Sequence, residues 1–453
     1  MAKKTADKPR VRKVGDKFYN VDGLRSFTSG MGTMAHDKSA SSHYYHEYLS
    51  PIELEAAYRS SWIAKKIVDV PAQDALRKWR DWKGDSEQIK QLINYERKMN
   101  VRGKVLDAYK YGRLWGGGAI VIGTEQTDKE EPLDPSKVGR DGIKYLTVVS
   151  RHELNSEELN YDVLDPNYGR PEFYTVANSK TYTRIHHSHL VLFRGNERPD
   201  LWGYISAIER DYFGWGDSVL QATYDSIKNA DSTCSNIASL VFEANVDVYG
   251  IEDLTENLSD PEYEQLILNR FALANVNKSV NRALIHDQSE VYDRKQIAFT
   301  TLPEVIQQFV LLAAGAADIP LTRFLGQSPS GMSATGEGDM KNYYDSVSSR
   351  QELEIEPALM ILDECLIRSA LGSRPEDLTY EWRPLEQMSE KDIADIGKTT
   401  ADTAKILFDT NLINPEILHD GLVNQLVETG AFPGIDADHG DFDFGAEMGN
   451  EQE

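Results

Sequence analysis

Two cysteines in 453 residues leave nothing from which to build a disulfide framework or a thiolate zinc site. Cys234 and Cys365 each sit in helix-like sequence and read as packed thiols of a reducing compartment. Long apolar runs are also missing. The longest, Phe309 to Ala317, falls far short of a bilayer span, so no membrane partner is expected. The basic start, MAKKTADKPRVRK, lacks an apolar stretch and reads as a disordered tail, not a secretory signal. Positive charge is in deficit: 49 Lys and Arg stand against 73 Asp and Glu, a net charge of −24. Tight duplex binding relies on Lys and Arg displacing counterions, so this balance argues against a gripping nucleic-acid binder. It is compatible with an acidic wall along which DNA slides.

Catalytic signatures are absent as well. There is no Gly-x-Ser-x-Gly elbow and no His-Glu-x-x-His helix. Three histidines fall in four residues at His186-His187-Ser188-His189. The segment reads as strand, where alternation would put only His187 and His189 on one face. No acidic or cysteine partner lies at ligand spacing, so no metal is expected. A two-histidine phosphoesterase would use His186-His187-Ser188 and a second His-x-Ser or His-x-Thr. His36, His43, His46, His152, His286, His419 and His439 do not supply it. Trp62, Trp79, Trp82 and Trp115 read as core or interface aromatics. No catalytic residue and no cofactor is assigned, and a non-enzymatic protein is expected.

What is present is 40% hydrophobic and 27% charged, a globular composition long enough for two to four structural units. Residues 1–48 have no sustained period. Order begins near Leu49, and a helical pattern follows Pro51, interrupted at Pro71. Asp85 to Trp115 reads largely as helix. Glycines then lead into a strand over Ala119–Ile122, and β-style sequence continues through 144–205. A mostly antiparallel sheet flanked by helices is the simplest arrangement. Asp217 to Ala244 reads as one long helix with a polar centre, Lys228 to Asn236, suited to packing against other subunits. A small insert follows, with strands at VDVYGI, Arg282–Asp287 and Glu290–Ile297 around a helix. Pro303 to Asp318 is helical and ends at Ile319-Pro320. Beyond LTYEWRPL, helices are expected with caps at Ser389 and Asn414.

The most informative junction is the loop GQSPSGMSATGEG, Gly326 to Gly338, which opens into a long polar helix. A nucleotide P-loop needs Lys followed by Ser or Thr at the helix start. Here Lys341 precedes Asn342, and Glu337 and Asp339 would repel phosphate. The competing readings are a plain surface loop before an N-cap at Asp339 and a mobile grip on a helical lever. Glycines at 326, 331, 336 and 338 would hinge it, and Pro357 should bend the helix. From Asp339 to Glu356 that helix reaches roughly 27 Å at about 1.5 Å per residue.

Four strings in this order carry a resemblance: IHHSHLVLFRG at 185–195, AADIPLTRFLGQSPSGMSATGEGDMKNYYDSV at 316–347, QELEIEPALMIL at 351–362 and EWRPLEQMSEKDIADIGKTTADTAKIL at 381–407. Over roughly residues 50–430 the chain resembles the portal proteins of tailed bacteriophages, in the branch that shares a domain with phage anti-defence proteins. The resemblance implies an α+β portal fold. It implies a flexible arm (1–48), a helical and β wing (49–215), a first stem helix (216–245), a clip (246–300) and a second stem helix (301–320). A tunnel loop (321–338), a long wing helix kinked at Pro357 (339–375), a wing or crown region (376–432) and an acidic tail (433–453) follow. Gln327, Ser328, Ser330, Met332, Ser333 and Thr335 would face DNA, hinged at Gly326, Gly331, Gly336 and Gly338. The implied partners are further copies in a dodecameric ring, viral double-stranded DNA, the terminase large subunit, capsid and scaffold proteins, and neck or tail adaptors. The implied place is the portal vertex of the virion, assembled in host cytoplasm. Some relatives in that branch act on cyclic nucleotides, which leaves an anti-defence phosphoesterase, or a ring component other than a portal, as alternatives.

Overall fold

The computed structural model describes residues 48–197 apart from 158, 161, 166, 179 and 180. It further describes 214–242, 245–250, 291–296, 301–326, 336–386 and 390–410, with short pieces at 11–14, 17–20 and within 262–269 and 421–425. The arrangement is α+β, and every described sheet is small and antiparallel. Contacts divide the chain into Met1–Ser50 and Pro51–Glu453. The first unit holds a hairpin, β1 (Val11–Val14) and β2 (Lys17–Asn20), inside the stretch expected to be irregular.

The second unit opens with α1 (Pro51–Ser60) and α2 (Trp62–Arg77). The break falls at Ser61, whose hydroxyl accepts from the Ala64 N–H at 3.3 Å, and not at Pro71 as expected. Pro71 lies inside α2 because its cost is met locally. A proline leaves the carbonyl four residues back without its helical donor. The Ile67 carbonyl instead accepts from Arg113 Nη2 at 2.8 Å, and the Val68 carbonyl from Nε at 3.0 Å. Arg113 comes from α4 (Val101–Trp115), which follows α3 (Ser86–Met99) across Asn100 at φ 50°. Asparagine tolerates that left-handed position, and its N–H closes the end of α3.

The glycine turn after Trp115 delivers β4 (Gly117–Gly123), buried along its whole length between β5 (Tyr145–Ser150) and β9 (Leu190–Arg194). A Cβ at Gly118 would stand 2.2 Å from the Ala108 carbonyl oxygen, so the close α4–β4 approach requires glycine. A second sheet joins β6 (Leu154–Ser156), β7 (Phe173–Asn178) and β8 (Thr181–His186). The single expected sheet is thus two, sharing a core of Ala119, Val121, Val149, Tyr174, Ile185 and Trp215.

A third pairing carries the main buried charge. β3 (Arg80–Lys83) pairs with β12 (Thr379–Trp382). Arg80 reaches Glu96 of α3 at 2.7 Å and Asp363 at 2.6 Å, ringed by Trp79, Trp82 and Tyr380. Burial outweighs the Arg80 charge and pushes the Asp363 carboxyl up to about 6.

Beyond these sheets, α5 (Val219–Phe242) and α6 (Leu302–Ala316) pack side by side. Between them the chain leaves by β10 (Asn245–Gly250) and returns by β11 (Val291–Gln296), which pair with each other. The expected strand at 282–287 lies outside the described residues. Next come α7 (Leu321–Leu325), α8 (Glu337–Arg350), a π-turn (Gln351–Ile355) and α9 (Glu356–Leu371). A last helix, α10, spans Glu390–Asp409. Pro357 stands in the first turn of α9, and the irregularity precedes it. Lacking an N–H, Pro357 cannot donate to the Leu353 carbonyl, and the Glu356 N–H reaches back five residues to Gln351. Cys365 is buried, which pushes its thiol up to about 12, and Cys234 is half-buried; both are free.

Removing Arg80 would strand two buried carboxylates, so Arg80→Met should cost about 3–5 kcal/mol in denaturant titrations. Asp363 holds its proton more tightly folded than unfolded. It therefore adds stability at low pH that is lost as pH rises through about 6. Asp363→Asn should flatten the fall in melting temperature between about pH 4 and 6.

Candidate functional site

The Gly/Ser loop is held at both feet by one carboxylate. Asp74, in the last turn of α2, is 1% exposed. An ionised carboxylate at that depth needs partners. Arg323 of α7 supplies a bidentate pair, Nε to Oδ2 and Nη2 to Oδ1, each at 2.9 Å. Tyr343 of α8 donates its hydroxyl to Oδ2, also at 2.9 Å. Arg323 precedes the loop and Tyr343 follows it. Burial first, and then the Asp74 charge, hold the Tyr343 hydroxyl well above its usual range. The hydrogen bond to Asp74 raises the Arg323 guanidinium, so both partners keep their donor protons.

Further contacts reinforce each foot. The Lys66 ammonium donates to the Phe324 carbonyl and lies over the rings of Trp62 and Phe324. Phe324 is fully buried against Trp62, ring centroids 5.7 Å apart. On the other side Arg77 stacks over Tyr344 at 4.8 Å, and buried Gln351 donates to the Ala75 carbonyl at 2.6 Å. Helix α2 is therefore the platform for both feet.

Of the residues expected in this loop, Gln327, Ser328, Ser330, Gly331, Met332, Ser333 and Thr335 lie outside the described residues. Gly326 and Gly336 flank that gap, and both are left-handed, at φ 72° and 62°. Glycine takes this conformation without steric cost, so α7 closes at Gly326 and α8 opens at Gly336. Two expected details shift. The first five residues assigned to the loop form helix α7, and α8 starts at Glu337, two residues before the expected cap at Asp339. Gly338 consequently lies in the first turn of α8.

The histidine segment is a turn where strand was expected. β8 ends at His186, His187–His189 make a 3-10 turn, and β9 begins at Leu190 in the other sheet. Ser188 explains this. Its N–H donates to His186 Nδ1 at 3.2 Å, its hydroxyl lies 2.8 Å from the same nitrogen, and that hydroxyl accepts from the Leu133 N–H at 2.7 Å. His189 is fully buried and bonds the Glu131 carbonyl at 3.0 Å. Burial lowers all three imidazoles; His187, also beside His186 and Arg194, is pushed down to about 4. All three are neutral at pH 7. Among the described residues no three His, Cys, Asp or Glu stand together as a metal site. No helix of the described residues is long and apolar enough to cross a membrane.

The sequence model of a family described as phage portal protein matches residues 52–406. The chain belongs to the phage portal protein family. The match spans α1 through most of α10, so the loop and both its feet are family sequence. Among relatives of this portal-family chain, a Caulobacter sp. (strain RHG1) protein named Anti-CBASS protein Acb1 is 40% identical over 437 residues. The match covers 92% of this chain and 68% of that protein. A Sphingomonas paeninsulae protein of the same name is 38% identical over 423 residues, covering 92% and 66% respectively. The chain thus spans about two thirds of the length of these two relatives. A Haemophilus influenzae protein is 29% identical, matched over 92% of both chains. Among solved structures, the chain is similar to one described as the neck of a native GTA particle computed with C12 symmetry. That similarity has a TM-score of 0.47 at 12% identity, covering 85% of this chain and 96% of the other.

These names correct one expectation. The missing catalytic motifs point to a non-enzymatic protein. Two relatives alike over nine-tenths of this portal-family chain bear an anti-defence name, from the branch whose resemblance implied action on cyclic nucleotides. The non-enzymatic assignment does not stand.

The sequence reading missed Asp74, Arg323 and Tyr343. A signal was present: Asp74 follows an apolar helical run, where an acid on the buried face demands partners. Asp74→Asn keeps the shape and loses the bidentate ion pair. It should cost about 1–3 kcal/mol in thermal melts and speed proteolytic cleavage between Gly326 and Gly338, mapped by mass spectrometry.

Proposed function

We propose that the chain is the subunit of a portal ring at one capsid vertex, through which the viral genome is packaged and ejected. In this reading Gly326–Gly338 is the tunnel loop, α5 and α6 are the stem helices, and the segment between them is the clip. The observation that carries it is the double anchoring of the loop on Asp74, in a chain of the phage portal protein family. A loop rich in glycine and serine cannot pack itself. Pinned feet give it a defined origin, as a valve element needs. A ring repeats that loop into a collar, so weak contacts with DNA add through multivalency. The acidic chain supplies a wall that does not retain phosphates.

Exposed apolar residues support a ring. The first half of α5 buries Leu220, Ile227 and Ala230, while Leu240 is exposed; on α6, Val305, Leu311 and Leu312 are exposed. Such faces are suited to neighbouring copies. The reading extends to a dodecamer in the virion, assembled in host cytoplasm, that docks the terminase large subunit, capsid and scaffold proteins, and later neck or tail adaptors.

Electron microscopy of purified full-length protein should show rings with a central channel; a monodisperse monomer at micromolar concentration counts against the portal reading. Deleting Ser328–Thr335 should leave rings intact and impair packaging or retention of DNA, and wild-type packaging would remove the loop from the mechanism.

A second reading is favoured by the names of the two Acb1 relatives: an anti-defence activity against cyclic oligonucleotides. In this chain His186, with Ser188 on its Nδ1, is the residue to test. On this reading the purified protein hydrolyses a cyclic oligonucleotide and His186→Ala abolishes turnover. Turnover equal in the variant would place the chemistry elsewhere.

A further inference from the structure

One cavity of about 830 Å³ lies behind the histidine turn. Its walls come from the 167–171 segment, β9, the start of α5, the residues after α6, and the π-turn with the start of α9. Arg170, Arg194 and Arg350 line it, together with His187. This is unusual for a chain of net charge −24. Several other arginines pair with carboxylates, Arg59 with Glu55, Arg184 with Glu157, Arg323 with Asp74 and Arg368 with Glu364, while Arg102 and Arg113 donate to backbone carbonyls. Among the described residues, no carboxylate lies within ion-pair distance of Arg170, Arg194 or Arg350.

Arg194 is also short of a well-aligned acceptor. Arg194 stands beside Tyr174, which is fully buried. Neither Arg194 Nε nor the Tyr174 hydroxyl meets hydrogen-bond geometry with any described group. A buried donor without a well-aligned acceptor is costly, and the Tyr174 oxygen beside Arg194 falls short of that alignment. An anionic oxygen would satisfy Arg194. The first turn of α5, Val219 to Thr223, also borders the cavity and brings the positive end of a long helix toward it.

The rest of the wall narrows the ligand class. Asp318, Glu197 and Glu354 also line the cavity, and Glu354 already accepts from Tyr109 at 3.0 Å. A track for a polyanion would carry cations throughout. Cations here are interspersed with carboxylates that accept hydrogen bonds, and Leu192, Phe193, Leu353 and Met360 add apolar surface. That mixture suits a small molecule with one phosphate and a flat, hydrogen-bonding body. The volume falls within the usual range for such ligands, about 300–1,000 Å³.

We propose that this cavity binds a mononucleotide-sized phosphate ester, with Arg194 and Arg170 on the phosphate and Arg350 facing them across the cavity. Neutral His187 completes the wall as a hydrogen-bonding neighbour. The site is separate from the Asp74 clamp and does not depend on the portal reading.

The test is isothermal titration calorimetry of the full-length protein with AMP, run beside inorganic phosphate, adenosine and a short DNA duplex. AMP should bind saturably, more tightly than either phosphate or adenosine alone. Arg194→Gln and Arg350→Gln should each weaken it at least about tenfold. Arg59→Gln, at an exposed pair on α1, should leave binding unchanged. Far-UV circular dichroism and melting curves confirm that each variant is folded. Absence of saturable AMP binding, equal binding by both cavity variants, or duplex binding that outcompetes AMP would overturn the proposal. Scoring rings by microscopy on the same samples separates the two readings: rings without AMP binding sink this inference alone, and AMP binding without rings sinks the portal reading alone.

Discussion

A buried carboxylate must find its counter-charge inside the protein, and at Asp74 that need organises the surrounding architecture. Arg323 and Tyr343 lie on opposite sides of the loop in sequence, yet they meet on the two oxygens of one side chain. The stretch between them has no need of a core of its own. Because hydrogen bonds to an ionised acceptor are the stronger kind, helices α7 and α8 are fixed against α2 whatever the intervening residues do. The platform is held in turn. Pro71 frees a carbonyl in α2, and Arg113 takes it, so a residue that usually breaks helices here ties α2 to α4. Gln351 in the π-turn then fastens the far end to Ala75.

The same logic separates two classes of arginine. Arg80, Arg113 and Arg323 are consumed by structure: their donors go to carboxylates or to backbone carbonyls, and each joins elements far apart in the chain. Arg170, Arg194 and Arg350 line a cavity with no such partner among the described residues. In a chain so acidic, cations left over from structure are the more informative ones.

The order of helices and strands was largely legible in the sequence, because periodicity reports which face of a segment is apolar. The strand at 117–123, the helix from 219 and the strand at 379–382 all fall where the pattern placed them. The errors came where a single side chain overrode the pattern. Ser188 binds its own neighbours and turns an apparent strand into a link between two sheets. Arg113, distant in sequence, supplies what Pro71 lacks. The non-enzymatic expectation failed for another reason: it rested on missing motifs, and relatives with an anti-defence name answered it.

By itself the sequence determined the α+β class, the element order, the family resemblance and a glycine-flanked loop opening into a long helix. Those follow from local composition and spacing, which neighbours in the chain already contain. Only the tertiary structure decided what that loop stands on and which arginines remain free of carboxylates. Asp74 lies 249 residues from Arg323 and 269 from Tyr343, and nothing local says that three polar side chains will share one buried point. Their pairing is set by the cost of leaving a charge buried alone, a cost that arises once the core has closed around it.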